Sequence, residues 1–354
     1  AYERSTAAMN YTHVSIAAFG YELPPNVVTS ADLEERLEPL YAALRLQKGQ
    51  LEAITGIRER RYWDAGAALH AGAARAGRKA IEASGISRAQ IGMLIYGAVC
   101  RENLEPATAC AVADTLKLRP ECQVYDLSNA CLGVLNGMVQ VANAIELGQV
   151  EAGLVVACES AREIVDLTIA RLVREKSMEV LRRTIATLTG GSGAVAVLLA
   201  DTALAPQGHP LIGGAARSAP AHHRLCTWGP DTGIPGGGGH MAETDSAAVL
   251  QHGVALGIDT FRDFRRTLAL GPDRPEKIIC HQVGSTHQRA ILEAIGIPAE
   301  RDFTTFRHLG NIGTVSLPIT AAIAGERGFL GPGDSVGLLG IGSGLNCLML
   351  GVTW

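Results

Sequence analysis

The sequence lacks the features that would place it in several large classes of protein. Its eight cysteines include no CxxC spacing, which argues against a zinc ribbon or a disulfide frame. The thiols are therefore expected to be reduced, the chain cytoplasmic and no metal bound. No basic run is present, and the net charge is −4 with a pI of about 6.2. Neither nucleic acid nor an anionic membrane surface is an expected partner. Residues 1–13 are polar and lack the apolar core of a signal peptide, and whether residues 1–8 are native is left open. Charge is sparse, at 19% of residues. Residues 127–145 carry none, as a membrane span would. Ser128, Asn129, Asn136, Gln140 and Asn143 lie within that stretch, so a buried core helix is the better reading and no integral membrane segment is expected.

Apolar residues make up 47% of the 354. That is enough for a large core in two ordinary domains or one duplicated fold. Continuous apolar runs at 14–19, 91–96, 123–127, 153–158, 194–200, 277–280, 335–341 and 345–352 read as strands buried on both faces. Helical stretches are expected at 31–46, 67–84, 106–118, 132–147, 246–270, 286–295 and 316–325. The alternation predicts an α/β layered fold.

A weak repeat divides the chain. Gly153-Leu-Val-Val-Ala-Cys-Glu-Ser160 leads, after an insertion, to Gly191-Ser-Gly-Ala-Val-Ala-Val-Leu-Leu199. Val336-Gly-Leu-Leu-Gly-Ile341 leads directly to Gly342-Ser-Gly-Leu-Asn-Cys-Leu-Met-Leu350. Ala130-Cys131-Leu-Gly with its helix precedes the first unit, and Gly310-Asn311-Ile-Gly with its helix precedes the second. A chance match of common Gly-Ser-Gly turns is the plainer alternative. Further ahead stand Ile91-Gly-Met-Leu-Ile-Tyr-Gly97 and Lys277-Ile-Ile-Cys-His281, and three matched elements in one order favour duplication about a pseudo-twofold axis, with halves 1–200 and 201–354. The insertion 161–188, amphipathic and densely charged, is expected to cover an opening or a partner surface. Gly233-Ile-Pro-Gly-Gly-Gly-Gly-His240 lacks the Gly-Lys-Ser/Thr ending of a phosphate loop and is read as a flexible loop.

The most informative stretch is Val124-Tyr-Asp-Leu-Ser-Asn-Ala-Cys-Leu-Gly133. A short strand runs into Cys131 and a helix follows. Unpaired N–H groups and the helix dipole at that point are expected to favour a thiolate nucleophile. Under the duplication, Cys131 and Asn311 hold equivalent helix starts and His281 ends a strand of the second half. The three are expected to converge near the axis, as covalent catalysis at a thiol would need. Singly, each has a plainer reading: a small core residue, a histidine satisfying a backbone carbonyl, a helix cap.

These residues, with Thr55-Gly-Ile-Arg-Glu-Arg60, Asp126-Leu-Ser-Asn-Ala-Cys131, His281-Gln282, His308-Leu-Gly-Asn311, Ser316-Leu-Pro318 and Gly340-Ile-Gly-Ser-Gly344, make the chain resemble the ketoacyl synthase III branch of the thiolase superfamily. The resemblance covers nearly the whole chain. It implies a five-layered αβαβα thiolase fold and a homodimer. It also implies an acyl-Cys131 intermediate, a second thioester carbonyl activated by His281 and Asn311, and an oxyanion hole from the backbone N–H groups of Cys131 and Ser343. No cofactor is implied beyond the CoA or acyl carrier protein of a thioester substrate.

Within that branch, Cys100-Arg-Glu-Asn-Leu-Glu105-Pro106 matches the loop that reaches into the partner's site, where decarboxylating members carry an apolar aromatic. Loss of CO2 makes a carbanion without a base, and a carboxylate nearby would repel malonate. Condensing two ordinary acyl thioesters requires a base for the α-proton, and a desolvated carboxylate is a stronger one. Glu105 in Leu-Glu-Pro-Ala-Thr is similar to the base of the OleA-type thiolases that begin bacterial olefin synthesis. Its plainer reading is an acidic helix start. The implied reaction is a Claisen condensation of two acyl thioesters to a β-keto acid or thioester. The alternatives are a decarboxylating 3-oxoacyl-carrier synthase III, a hydroxymethylglutaryl-CoA-synthase-like enzyme and a non-catalytic subunit. Gln50 and Ile54 stand where CoA-using members often clamp adenine with Trp and Arg, which leaves the donor open between CoA and carrier protein. His222, His223 and Cys226 are read as a solvated loop rather than metal ligands.

Overall fold

The computed structural model describes residues 8–230 and 240–354, so the glycine-rich loop expected at 233–240 lies, but for His240, outside the described residues. A ten-stranded sheet runs through the molecule. Its first half holds strands Val14–Glu22, Ile91–Tyr96, Gln123–Asp126, Ala152–Glu159 and Gly193–Asp201. Its second half holds His209–Ser218, Lys277–Cys280, Ser335–Gly342 and Asn346–Thr353, with Ala8–Asn10 added against His209–Ser218.

Both halves have one topology. Ile91–Tyr96 is parallel to Ala152–Glu159, which is antiparallel to Gly193–Asp201, which is antiparallel to Val14–Glu22. Lys277–Cys280, Ser335–Gly342, Asn346–Thr353 and His209–Ser218 repeat that sequence of directions. The parallel edge strand Gln123–Asp126 has its counterpart in the single bridge from Ile278 to Asp302. The halves meet where Ser15 and Ile16 pair with Pro210 and His209.

Helices complete five layers. Leu69–Ser84 and Thr108–Leu116 cover the outer face of the first half, and Ser246–Thr267 with Ser285–Ile295 that of the second. Gly133–Glu146 and Ser316–Glu326 lie between. The latter packs on Val14–Glu22 and Gly193–Asp201 from one side and on Lys277–Cys280 and Ser335–Gly342 from the other. The strands Ile91–Tyr96 and Ala152–Glu159 are buried at every position, which is why their sequences are unbroken apolar runs.

Two expectations need correction. The helix expected at 31–46 is two helices, Ser30–Arg36 and Glu38–Leu44, because Pro39 is tolerated only in a first turn. Strand His209–Ser218 had no apolar run to announce it. It is built from small residues because its neighbours approach closely: a Cβ on Gly213, at φ 144°, would lie 2.0 Å from the Met9 carbonyl oxygen. The insertion forms helices Arg162–Glu175 and Met178–Thr184. Its Val165, Ile169, Leu172 and Leu188 share a separate core with Leu33, Leu37 and Leu40.

Candidate active site

Cys131 lies in a turn that packs on strand Ser335–Gly342 of the second half. Strand Gln123–Asp126 leads into this tight turn, Ala130–Leu132, and the helix begins at Gly133. Ala130 takes φ 46°, a left-handed value that aims the turn. Gly133 packs so closely on Gly97 that a Cβ would meet the Gly97 carbonyl oxygen at 2.2 Å. The Val134 N–H donates to the Thr314 hydroxyl at 2.8 Å, so a residue of the second half caps the helix that follows Cys131.

The expected thiolate is not what this setting favours. Burial pushes the Cys131 thiol up to about 12, and the charges of Cys226 and Glu159 add to the shift. Desolvation outweighs the helix terminus because the sulfur lies deep in an apolar cavity. At rest Cys131 is therefore a thiol, and a nucleophilic role would need a base to take its proton.

His281 follows strand Lys277–Cys280, its N–H bonded to the Leu339 carbonyl at 3.0 Å. Burial and then the neighbouring His287 lower its pKa to about 4, so the imidazole is neutral and able to accept a proton. Gln282 locks the turn: its amide donates to the Cys280 carbonyl at 2.7 Å and accepts from the N–H groups of Thr305 and Phe306. Asn311 is held on both backbone sides, its N–H donating to the Thr189 carbonyl and its carbonyl accepting from Gly191. Its side-chain oxygen accepts from the Gly313 N–H at 3.1 Å. The amide NH2 therefore remains as the donor end for a ligand.

Ser343 lies in the turn between the last two strands, and Gly342 brings this turn against Cys131: a Cβ there would be 3.4 Å from the Cys131 nitrogen. Asn346 ties the two segments. Its NH2 donates to the Asn129 side-chain oxygen at 3.0 Å and to the Ser343 carbonyl at 3.3 Å, while Asn129 donates to Asn136 at 2.7 Å. The sequence reading passed over this bridge. Its signal was a polar Asn in each of two otherwise apolar motifs, Ser-Asn-Ala-Cys and Gly-Leu-Asn-Cys.

Cys131, His281, Asn311 and Ser343 all line one cavity of ≈ 590 Å³. Its wall is mostly apolar, with Ile164, Val249, Leu250, Val254, Ile291 and Met349 among the contributors. Volume and lining suit a small-molecule ligand with an apolar body. Ala161, Ile164, Ala186 and Thr187 of the insertion and Cys226, Thr227 and Trp228 of strand Cys226–Pro230 form part of the wall, so the insertion does cover an opening. Arg171 and Arg183 hold the facing strand His240–Thr244 through Glu243, at 3.0 and 3.8 Å. Glu159 and His287 also line the cavity and were missed. The signal for Glu159 was a carboxylate ending an otherwise apolar strand.

Glu105 is not in this cavity. It is exposed, at the tip of a loop whose base is fixed. Glu159 accepts from the N–H groups of Val99 and Cys100, Arg101 approaches Asp126 at 3.8 Å, and Glu102 meets His70 at 2.8 Å. Asp126 then caps helix Thr108–Leu116 through the N–H groups of Thr108 and Ala109. Between these anchors Leu104 is fully exposed, at 104%.

Of the other sequence candidates, Gln50 begins helix Gln50–Thr55 and Ile54 is exposed on it. The ring of His222 stacks on that of His252 at 3.9 Å. Among the described residues no three His, Cys, Asp or Glu side chains form a metal cluster. No helix among them is long and apolar enough to cross a membrane. All eight cysteines are free.

Comparison with known proteins agrees with this geometry. Residues 125–218 match the family model for 3-oxoacyl-[acyl-carrier-protein] synthase III, and 267–354 match its C-terminal model. An acyl-CoA:acyl-CoA alkyltransferase of Shewanella oneidensis is 48% identical, over 98% of this chain and 100% of its own length. That of Xanthomonas campestris is 35% identical over 98% and 100%. A cysteine-to-serine variant of Xanthomonas campestris OleA, crystallised with lauric acid and lauroyl-CoA, superposes with a TM-score of 0.91 at 34% identity, over 97% of this chain and all of the other.

Proposed function

The chain belongs to the OleA-type acyl-CoA:acyl-CoA alkyltransferases within the ketoacyl synthase III family, and on that premise we propose that it joins two long-chain acyl-CoA molecules by Claisen condensation. The observation that carries this reading is the convergence of Cys131, His281, Asn311 and Ser343 on one apolar cavity. In the first step His281 accepts the thiol proton of Cys131 as the sulfur attacks the acyl thioester. CoA leaves as its thiol, taking that proton back from His281, and the acyl group stays on Cys131. The N–H groups of Cys131 and Ser343 receive the oxyanion.

In the second step the carbonyl of another acyl-CoA accepts hydrogen bonds from Asn311 and His281, and Glu105 from the second subunit of a homodimer removes its α-proton. The carbanion attacks the acyl-Cys131 carbonyl, the C–S bond breaks and Cys131 leaves as a thiolate, which takes up one proton as Glu105 gives up the α-proton, restoring both groups. The product is a 2-alkyl-3-keto thioester, released as such or hydrolysed to the β-keto acid. A loop with an anchored base and an exposed leucine and glutamate at its tip supports the dimer reading. The lauroyl-CoA bound to the cysteine-to-serine variant of Xanthomonas campestris OleA supports CoA over a carrier protein as donor. A reduced, cytoplasmic setting fits eight free thiols, and the chain is proposed to divide into structural halves at 1–200 and 201–354.

The test is incubation with long-chain acyl-CoA alone. An acyl adduct on Cys131 and a self-condensed β-keto acid, or the ketone formed from it, are expected. Carbon dioxide released from malonyl thioester, with no product from acyl-CoA alone, would instead indicate the decarboxylating synthase.

A further inference from the structure

Glu159 is the buried carboxylate of the cavity wall, 4% exposed at the end of strand Ala152–Glu159. Its oxygens are committed. One accepts the Val99 N–H at 3.0 Å and the other the Cys100 N–H at 3.1 Å. Among the described residues no cation stands at ion-pair distance. Burial raises the Glu159 carboxyl above its ordinary range, the amide donors offset part of that shift, and its charge makes the nearby Cys131 thiol harder to ionise; none of these brings a substrate atom to it. Its contribution is therefore to be sought in geometry.

Three segments of the site meet at this side chain. Val99 and Cys100 begin the loop that carries Glu105 five residues on. Cys100 is pinned at every group, its carbonyl accepting from the Tyr96 hydroxyl at 2.8 Å and its thiol lying 3.4 Å from both the carbonyl oxygen and the nitrogen of Ser160. On its other side Glu159 packs against Gly313, where a Cβ would lie 3.4 Å from its Cγ, Cδ and Oε1. Gly313 is the residue whose N–H orients Asn311, and the next residue, Thr314, caps the helix of Cys131.

We propose that Glu159 is a positioning residue that fixes the base of the Glu105 loop relative to the Asn311 turn and the Cys131 helix. The proposal rests on Glu105 being the condensation base. It separates the two half-reactions, because acylation of Cys131 requires His281 but not Glu105, whereas condensation requires the Glu105 loop to reach a set depth. A displacement of about 1 Å in such a group costs on the order of a hundredfold in rate.

The test uses the full-length dimer, with Cys131 acylation by long-chain acyl-CoA followed by intact mass and condensation followed by β-keto acid release. Glu159→Gln keeps the shape but turns an NH2 toward an N–H donor. It should not slow acylation, since it removes a negative charge near the Cys131 thiol, and should lower condensation about ten- to hundredfold. Glu105→Gln, run in parallel, should lose condensation and keep acylation. If Glu105→Gln condenses normally, the base assignment fails and the positioning role with it. If Glu105→Gln is dead in condensation but Glu159→Gln retains the wild-type ratio of the two steps, the positioning role alone is wrong. Equal losses in both steps would mean a general structural role and also overturn it. Should Glu159→Gln not fold, Tyr96→Phe removes the other anchor of Cys100. The same split, smaller in size, is expected, and its absence refutes the proposal.

Discussion

At the scale of single residues, the site works by withholding charge. Cys131 raised to about 12 and His281 lowered to about 4 leave a neutral thiol beside a neutral base across the whole physiological range. The acylation rate should therefore show no titration near pH 6.5 and should fall only as pH drops towards 4, which stopped-flow acylation between pH 4.5 and 8 would reveal. The same shift is a stability statement. Between 6.5 and about 4 the unfolded chain binds a proton at His281 that the folded chain refuses, so this contribution is present above pH 6.5 and is lost as pH falls. His281→Asn removes it. Its unfolding free energy in urea should fall by about 2 kcal/mol less than wild type between pH 7 and pH 5. Asn346 offers a second check. Asn346→Asp sets a carboxylate against the carbonyl oxygens of Asn129 and Ser343 and should spread the turn that presents the Ser343 N–H. Acylation should slow at least about tenfold with little change in KM, since a hole with one donor misplaced loses transition-state binding.

At the scale of elements, the loop between strand Ile91–Tyr96 and helix Thr108–Leu116 is rigid where it starts and ends and bare at its tip. Leu104 exposed in full makes sense if another molecule covers it. Leu104→Lys should weaken self-association by about 10²-fold or more, since burying one leucine contributes about 1.5–3 kcal/mol and a symmetric dimer would bury two. Sedimentation equilibrium reads the change, and an unaltered dimer would mean that the tip faces solvent. Most of the eight apolar-run strands were legible in the sequence because a strand covered on both faces needs no alternation; the edge strand Gln123–Asp126 departs from that expectation, with no position fully buried. Strand His209–Ser218 was not legible, because its identity depends on how closely its neighbours approach Gly213 and Gly214. The break at Leu37 was legible in principle from Pro39, and the helical periodicity on either side concealed it.

At the scale of the whole molecule, the two halves meet at the short pairing of Ser15 and Ile16 with Pro210 and His209, at the helices Gly133–Glu146 and Ser316–Glu326, and through the site's own hydrogen bonds. The cavity lies at that junction, so a ligand filling it should stabilise both halves together. A non-hydrolysable acyl-CoA analogue at 100 times its Kd should raise the unfolding free energy by about 2.7 kcal/mol. Affinity should grow by up to about 0.8 kcal/mol per added CH2 until the chain exceeds the cavity, which calorimetry over a length series would show. What the sequence by itself determined was the α/β alternation and the duplicated order of elements, because these follow from local patterning; it offered Cys131, His281, Asn311 and Glu105 as candidates through the motifs that carry the resemblance. Tertiary structure alone decided the rest: that burial holds Cys131 as a thiol, that Asn129 and Asn346 bridge the halves, that Glu159 gathers three segments, and that Glu105 stands outside its own chain's cavity. Each depends on distances between segments remote in sequence, and on the dielectric that packing creates around them.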